Sequence, residues 1–259
     1  LNCIVLGHVQ DKEGRKMSWS KKISLMFFSL LSIVFLILST SIVGRFTLKG
    51  VEIQGLPETW NIMSLVLSEK GRNKLTVDKR RIKKEIENLL YVSSAEVSIK
   101  NNVLVVDGIQ PELGVLLVDG TRTAFISEEK KGVMDSKDYH ALSDSFLTVE
   151  VSPVLFDVIT SSKDEKYTTL MMSLAHAFES SGLITKAEYD NNKTSIFSGS
   201  IVLELDSVEA VLTINDLRKI NRLEECLEII KEDYNSSLDR MMETPKEYIL
   251  DESLMVVKR

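Results

Sequence analysis

The chain has 259 residues and a formal net charge of −6 at neutral pH. This acidic balance argues against a general affinity for nucleic acid or for anionic lipid surfaces, because both require an excess of Lys and Arg. Cysteine is rare, with only Cys3 and Cys226, so the sequence predicts no internal disulfide.

The first predicted element is a long apolar helix. From Ile23 to Val43 no residue is charged, and a helix of about 21 residues at about 1.5 Å per residue spans the roughly 30 Å core of a bilayer. Basic residues are concentrated before this run, which favours a cytosolic N-terminus. A cleaved signal peptide is the alternative, although its apolar core is usually shorter, about 7–15 residues. We therefore predict a cytosolic tail over 1–22 and a transmembrane helix over 23–44.

The residues that follow, 45–111, predict a small domain with the order strand, helix, helix, strand, strand. Apolar and polar residues alternate from Val51 to Gly55, which is typical of a half-buried strand. Two helices follow, and Asp78 is the predicted N-cap of the second. Alternation returns on both sides of Asn101-Asn102, a pair that tolerates the positive φ of a tight turn. Both helices are expected on one face of a three-stranded sheet.

The remainder, 112–259, is predicted to be a mixed α/β domain with an antiparallel sheet. Asp119-Gly120 stands between two apolar runs and is a strong hairpin signal. A later strand is predicted to stop at Pro153, and the polar stretch 128–144 is predicted to be a long loop. Two amphipathic helices are predicted over 167–181 and 217–230. The chain then ends in an apolar strand within KEYILDESLMVVKR.

These residues, in this order, resemble the FtsQ/DivIB family of bacterial cell-division proteins. The resemblance rests on VEIQGLPET, on KLTVDKRRIKKEIENLLYVSSAEVSIKNNVLVV and on IQPELGVLLVDGTRTAFISEEKKGVM. The chain departs from the family where Leu90-Tyr91 replaces Pro-Trp and where Tyr248-Ile249-Leu250-Asp251 replaces Ile-Asp-Leu-Arg. The resemblance implies an α+β protein with a single N-terminal transmembrane helix, a POTRA domain (β-α-α-β-β) over 45–111 and a β-domain over 112–259.

The resemblance also implies a binding segment at the end of the chain. In that family the last strand of the β-domain receives a strand from a small coiled-coil partner, FtsB or DivIC, which acts with FtsL. Here the implied partner-binding residues are Tyr248, Ile249, Leu250, Asp251, Ser253, Leu254 and Val256. An exposed strand edge binds extended segments through backbone hydrogen bonds. The pattern alone favours the simpler interpretation that this strand completes the core, and it is the resemblance that favours binding.

The function that the resemblance implies is that of a membrane-anchored divisome scaffold. Such a protein helps to recruit and regulate septal peptidoglycan synthases in the cytoplasmic membrane at the division septum, with its C-terminal domain extracytoplasmic. A POTRA-containing protein of polypeptide transport or chaperoning is one alternative, and an anchored cell-wall enzyme is another. None of the histidines, His8, His140 and His176, stands in a metal-ligand or nucleophile motif. We therefore expect no catalytic residue, no metal and no cofactor.

Overall fold

The computed structural model describes residues 19–163, 165–191, 199–239, 246–250 and 256–258. Helix α1, Trp19–Phe46, occupies the apolar run and belongs to a unit of its own, 1–47. The transmembrane helix predicted over 23–44 is nevertheless wrong. Within the residues described, no helix has the combination of length and hydropathy that a bilayer crossing requires.

A three-stranded sheet, called the small sheet here, begins the second unit, 48–259. Its elements follow the predicted order: β1 (Gly50–Gln54), α2 (Trp60–Leu67), α3 (Lys79–Glu87), β2 (Ser94–Lys100) and β3 (Val103–Ile109). The spatial order is β1-β3-β2, with β3 parallel to β1 and antiparallel to β2. Asp78 caps α3 by accepting a hydrogen bond from the N–H of Arg81. Asn101 and Asn102 turn between β2 and β3 with positive φ, as the sequence predicts.

The large sheet has nine strands in the order β12-β11-β10-β9-β8-β7-β4-β5-β6. They are β4 (Val115–Val118), β5 (Thr123–Ile126), β6 (Lys131–Met134), β7 (Leu147–Val151), β8 (Lys186–Asp190), β9 (Ser200–Leu205), β10 (Ala210–Ile214), β11 (Glu247–Leu250) and β12 (Val256–Lys258). The helices of this part are α4 (Tyr139–Leu142), α5 (Pro153–Ser161), α6 (Glu165–Ser181) and α7 (Leu223–Asp239). The protein is therefore α+β, and the boundary predicted at 111/112 lies inside the second unit.

The prediction of an antiparallel sheet is corrected, because the large sheet is mixed. The pairs β4 with β7, β7 with β8 and β10 with β11 are parallel. Parallel neighbours need a crossover connection of about a dozen residues or more, usually one that contains a helix. Here α5 and α6 lie between β7 and β8, and α7 lies between β10 and β11. Alternation in the sequence indicates strands, but it does not show which strands pair.

Several elements occur where the sequence predicts none, among them α4 in the predicted loop and β8. β6 lies inside the polar stretch 128–144, and α5 begins at Pro153, where only the end of a strand is predicted. Proline suits the first turn of a helix because the missing N–H has no intrahelical partner there. Ser152 completes the start of α5, since its side chain accepts a hydrogen bond from the N–H of Leu155.

The β4–β5 hairpin is buried on both faces, because successive side chains of a strand point to opposite sides. Leu117 and Ala124 belong to the core that the large sheet shares with α5, α6 and α7. Leu116 and Phe125 belong to a second core, which contains the buried faces of α2, α3 and the small sheet. Phe125 also meets the ring of Phe146 edge to face, with 5.0 Å between the ring centroids.

A buried polar cluster joins the two sheets in the same region. Asp138, between β6 and α4, is buried and accepts hydrogen bonds from the backbone N–H and the side-chain amide of Asn61, at 3.1 and 2.7 Å. The hydroxyl of Tyr91 donates to Asp138 at 2.7 Å and lies 2.8 Å from the hydroxyl oxygen of Thr59. Asp138 therefore satisfies a donor at the start of α2 from a segment that is distant along the chain.

A lysine makes a second connection between the sheets. The ammonium of Lys130, just before β6, donates to the carbonyl oxygens of Glu87, Leu89 and Val92 at 2.5, 3.2 and 2.6 Å. Glu87 is the last residue of α3, where helix geometry leaves backbone acceptors without intrahelical partners, and Leu89 and Val92 lie in the segment that follows. A cation there also interacts favourably with the negative end of the helix dipole.

We expect Asp138→Ala to lower the free energy of unfolding by about 3 kcal/mol, because it removes the acceptor of both Asn61 donors and one of the two hydroxyl contacts of the buried Tyr91. Urea unfolding of the full chain, with the denaturant slope compared between variants, measures this loss. Asp144→Ala is the matched control, since Asp144 is exposed, and surface changes usually stay within about 0.5 kcal/mol. Equal losses in the two variants would contradict a structural role for the Asp138 cluster.

Candidate functional site

The segment that the sequence singles out lies at one edge of the large sheet. β11 pairs in parallel with β10, and β12 folds back on β11 as an antiparallel strand. Of the strands described, only β11 pairs with β12. The final apolar segment is therefore two strands rather than one, and the edge strand is β12.

The predicted partner-binding residues divide between the core and the edge. Tyr248 and Leu250 are buried and pack in the core that contains α7, so the simpler interpretation holds for these two side chains. Ile249 lies on the opposite face of the sheet and is half-exposed. Val256 is the first residue of β12. The remaining predicted residues, Asp251, Ser253 and Leu254, lie outside the described residues.

The parallel pairing of β10 with β11 determines where the backbone groups of β11 point. The N–H of Val211 donates to the carbonyl oxygen of Lys246 at 3.0 Å. Since every second residue of a strand directs its N–H and C=O to the same neighbour, Tyr248 also faces β10. Ile249 must then face β12.

The open backbone groups of β12 follow from this alternation. Val257 lies opposite Ile249, and because Ile249 faces β12, these two residues form a hydrogen-bonded pair. Val256 and Lys258 consequently direct their N–H and C=O groups away from β11, toward the side of β12 that no described strand covers. These groups can pair with an added extended segment.

Helix α7 supports this edge from the core side. The hydroxyl of Tyr248 donates to the carboxylate of Asp233 on α7 at 3.0 Å. Burial, and then this hydrogen bond, raises the pKa of the Tyr248 phenol above its ordinary value. Leu227 and Ile230 of α7 are buried in the same core. Tyr248 therefore anchors β11, and through it the edge strand, to a helix.

The outer face beside the edge has an apolar row with an acidic border. Val202, Thr213 and Ile249 lie opposite one another across β9, β10 and β11, and all three are half-exposed. In the neighbouring row Glu204 faces Lys186. The ammonium of Lys186 forms an ion pair with Glu150 at 2.7 Å.

The acids around Lys186 outnumber it. The pKa of Lys186 is raised, first by its hydrogen bond to Glu150 and also by the charges of Glu204 and Glu188. A lysine among several carboxylates holds its proton more tightly because each negative charge favours the ammonium form. The outer face of β7–β9 is thus an acidic surface.

Chemistry-bearing side chains elsewhere occupy structural positions. His176 on α6 is exposed and hydrogen-bonds Glu224 on α7, which also accepts from Ser180 at 3.0 Å. These two hydrogen bonds lower the pKa of Glu224. Among the described residues no group of His, Cys, Asp and Glu has an arrangement that could hold a metal ion.

A cavity of about 640 Å³ lies between the β5–β6 turn and the start of α6. Its lining includes Lys130, Lys131 and Glu165. The two lysines are occupied by backbone carbonyls, since Lys130 bonds the end of α3 and Lys131 bonds the carbonyl oxygen of Ser162. The two lysines of this cavity therefore connect neighbouring elements of the fold.

Comparison with known proteins finds no family model that matches this chain, and no curated protein matches it. The resemblance to the FtsQ/DivIB family consequently rests on the residues quoted above.

We expect Tyr248→Phe to lower the free energy of unfolding by about 1 kcal/mol at pH 7, through loss of the hydrogen bond to Asp233. Because the folded-state pKa of Tyr248 is raised, its stabilising effect is present below the unfolded-state pKa of about 10 and is lost as pH rises above it. The advantage of the natural chain over Tyr248→Phe should therefore shrink as pH rises from about 10 toward the raised folded-state pKa. Denaturant unfolding at several pH values measures the difference, and a gap independent of pH would contradict the assignment.

Proposed function

We propose that this chain is a scaffold of the FtsQ/DivIB type, which binds an FtsB/FtsL-type coiled-coil partner by strand addition at β12. The complex would help to recruit and regulate septal peptidoglycan synthases at the division site. The observation that carries the proposal is the outward direction of the backbone groups of Val256 and Lys258, derived from the β10–β11–β12 register.

Strand addition at this edge has a stable platform. An added segment gains backbone hydrogen bonds, while the edge itself is tied to α7 through Tyr248 and Asp233. A surface that is already ordered loses little conformational entropy when it binds, which leaves more of the interaction energy as affinity. The added strand would extend the sheet without rearranging its core.

The outer face of β9–β11 could contact a helix of the partner that follows the added strand. Val202, Thr213 and Ile249 offer a half-exposed apolar row that leads toward β12. A helix that follows the added strand can place apolar side chains on this row, as amphipathic helices do in grooves. The acidic border around Lys186 favours basic residues on the flank of that helix, by electrostatic complementarity.

The transport alternative would use another edge. β2, Ser94–Lys100, ends the small sheet, and β3 is its one neighbour among the described strands. A chaperone that binds extended polypeptides there would accept segments of unrelated sequence, because backbone hydrogen bonds carry little sequence information. Binding of a reduced, unfolded test protein would therefore favour transport, whereas binding confined to the coiled-coil partner favours the scaffold.

We expect Val256→Pro to weaken partner binding at least about tenfold, because proline lacks the outward N–H that would bond the added strand. The loss of one neutral hydrogen bond, together with the steric cost of the proline ring, should reduce the binding free energy by about 1.4 kcal/mol or more. Stability should change little, since the β11–β12 hydrogen bonds do not use that group. Titration calorimetry with the FtsB-type protein of the same genome measures affinity.

The matched control is Thr213→Pro in the interior strand β10, which breaks ladder hydrogen bonds and should lower the melting temperature. This separates loss of fold from loss of an edge donor. Normal affinity in Val256→Pro would overturn strand addition at β12.

In dividing cells of the source organism, a functional N-terminal fluorescent fusion should form a band at the constriction, and depletion should produce filaments. The expectation follows from a scaffold that acts only where its partners assemble. An even distribution with normal division after depletion would contradict the division role.

A further inference from the structure

The opposite edge of the large sheet is formed by β6. Among the described strands β6 pairs only with β5. The next residue, Asp135, is also extended, with φ −68° and ψ 126°. The edge is therefore five residues long, from Lys131 to Asp135, and it belongs to a stretch that the sequence presents as a polar loop.

The direction of its backbone groups follows from the β5–β6 turn. The N–H of Ser127 donates to the carbonyl oxygen of Lys130 at 2.8 Å, so these two residues form a hydrogen-bonded pair. Antiparallel pairs alternate between hydrogen-bonded and non-hydrogen-bonded. Gly132 therefore directs its groups to β5, whereas Lys131 and Val133 direct theirs to the open side.

The same edge carries a group of exposed valines. Val133 is 60% exposed, and Val154 and Val158 on the adjacent helix α5 are 75% and 41% exposed. Outside α1, eight large apolar side chains are exposed among the described residues, and these are three of them. Apolar side chains concentrated beside an open strand edge indicate an interaction surface.

Charge distribution identifies the occupant. A short strand and a lysine often protect an edge from pairing, but the ammonium of Lys131 is held by the carbonyl oxygen of Ser162 on the α5 side. Asp135, of opposite charge, lies at the other end of the edge with its side chain on the same face. Its carboxylate is exposed and uses one oxygen to accept a hydrogen bond from the N–H of Lys137 at 3.0 Å. The edge is complementary to a copy of itself that runs in the opposite direction.

We propose that β6 pairs with β6 of a second copy of this chain, antiparallel, about a two-fold axis beside Val133. In this register Val133 faces Val133 of the second copy, and Lys131 faces Asp135 of the second copy at both ends. Lys131 and Val133 face the second copy with outward backbone groups, as a hydrogen-bonded antiparallel pair requires. The carbonyl oxygen of Asp135 already accepts a hydrogen bond from the N–H of Asp138 at 3.0 Å, so the central Val133 pair supplies most of the backbone bonding. A two-fold axis beside Gly132 would instead place Lys131 opposite Val133, with no ion pair.

This interface is isologous, since the same five residues are used on both copies. It joins the two large sheets into one, with a β12 edge at each outer end. The inference does not depend on the proposed function, because it concerns the opposite edge. If both hold, the assembly presents two partner sites at a fixed separation, which favours binding of paired coiled coils through avidity.

Cysteine cross-linking of the full chain tests the register. Val133→Cys, with Cys3→Ser and Cys226→Ala, should form a disulfide-linked dimer on mild oxidation. Paired residues of this kind have Cα atoms about 5.5 Å apart, within the range of about 4.4–6.8 Å that a disulfide spans. The control is Ile229→Cys in the same background, because Ile229 on α7 is 51% exposed and far along the sheet. It should remain uncross-linked, and equal yields at the two positions would overturn the proposal.

A charge exchange tests the complementarity. Lys131→Asp and Asp135→Lys each place like charges opposite one another twice, and each should weaken dimerisation about tenfold in sedimentation equilibrium. The double variant restores both ion pairs and should regain most of the affinity. The double variant restores neither the hydrogen bond of Lys131 to Ser162 nor the one that Asp135 accepts from the N–H of Lys137. If the two side chains acted only within one copy, the double variant would therefore show no rescue. A double variant as weak as the single ones, with melting temperatures unchanged, would refute the paired register.

Discussion

The docking of the small sheet on the β4–β5 hairpin is the interaction on which the rest of the second unit depends. Leu116 and Phe125 enter the core of the small sheet, while Leu117 and Ala124 enter the core beneath α5, α6 and α7. A one-residue shift in the register of this hairpin would move each of these side chains into the opposite core, where it does not fit. The hairpin therefore fixes the positions of both cores. The hydrogen bonds of the buried Asp138 cluster also determine how the small sheet is oriented on the hairpin, because hydrogen bonds are directional and apolar contacts are not.

The open backbone groups of the large sheet lie at its two edges, because each described strand between β6 and β12 pairs on both sides. The two edges are supported differently. β12 rests on β11, which Tyr248 joins to Asp233 of α7. β6 is held between Lys130, bonded to the end of α3, and Lys131, bonded to the end of α5. Each edge is thus ordered by side chains that are themselves engaged in the interior, which is the condition for strand addition at low entropic cost.

The sequence predicts local structure well and pairing poorly. The succession of elements from β1 to β3, the cap at Asp78 and the turn at Asn101-Asn102 depend on residues close together in the chain, and all are found. The parallel strand pairs that are connected by α5, α6 and α7 depend on segments far apart in the chain, and the alternation of apolar and polar residues does not indicate which strands pair. The sequence does not predict β6, because a four-residue edge strand that contains Lys and Gly has the composition of a polar loop.

The candidate site shows the same division. Alternation in the last segment correctly indicates strands, and Tyr248 and Leu250 on its buried face could be recognised from it. The reversal between β11 and β12 could not, because two antiparallel strands separated by a short connection give the same pattern as one long strand. Which residue carries an open N–H depends on a single hydrogen bond, from Val211 to the carbonyl of Lys246, and no sequence pattern encodes it.

The separation of the two edges has a physical consequence for how they act together. Nine strands at about 4.8 Å spacing place β6 and β12 roughly 40 Å apart. Sites at that distance with no shared side chains are expected to contribute independently to binding. Pairing at β6 would then increase the number of β12 edges in one assembly without changing the affinity of each edge. Any cooperativity in partner binding would arise from the geometry of the assembly and not from a structural change inside the sheet.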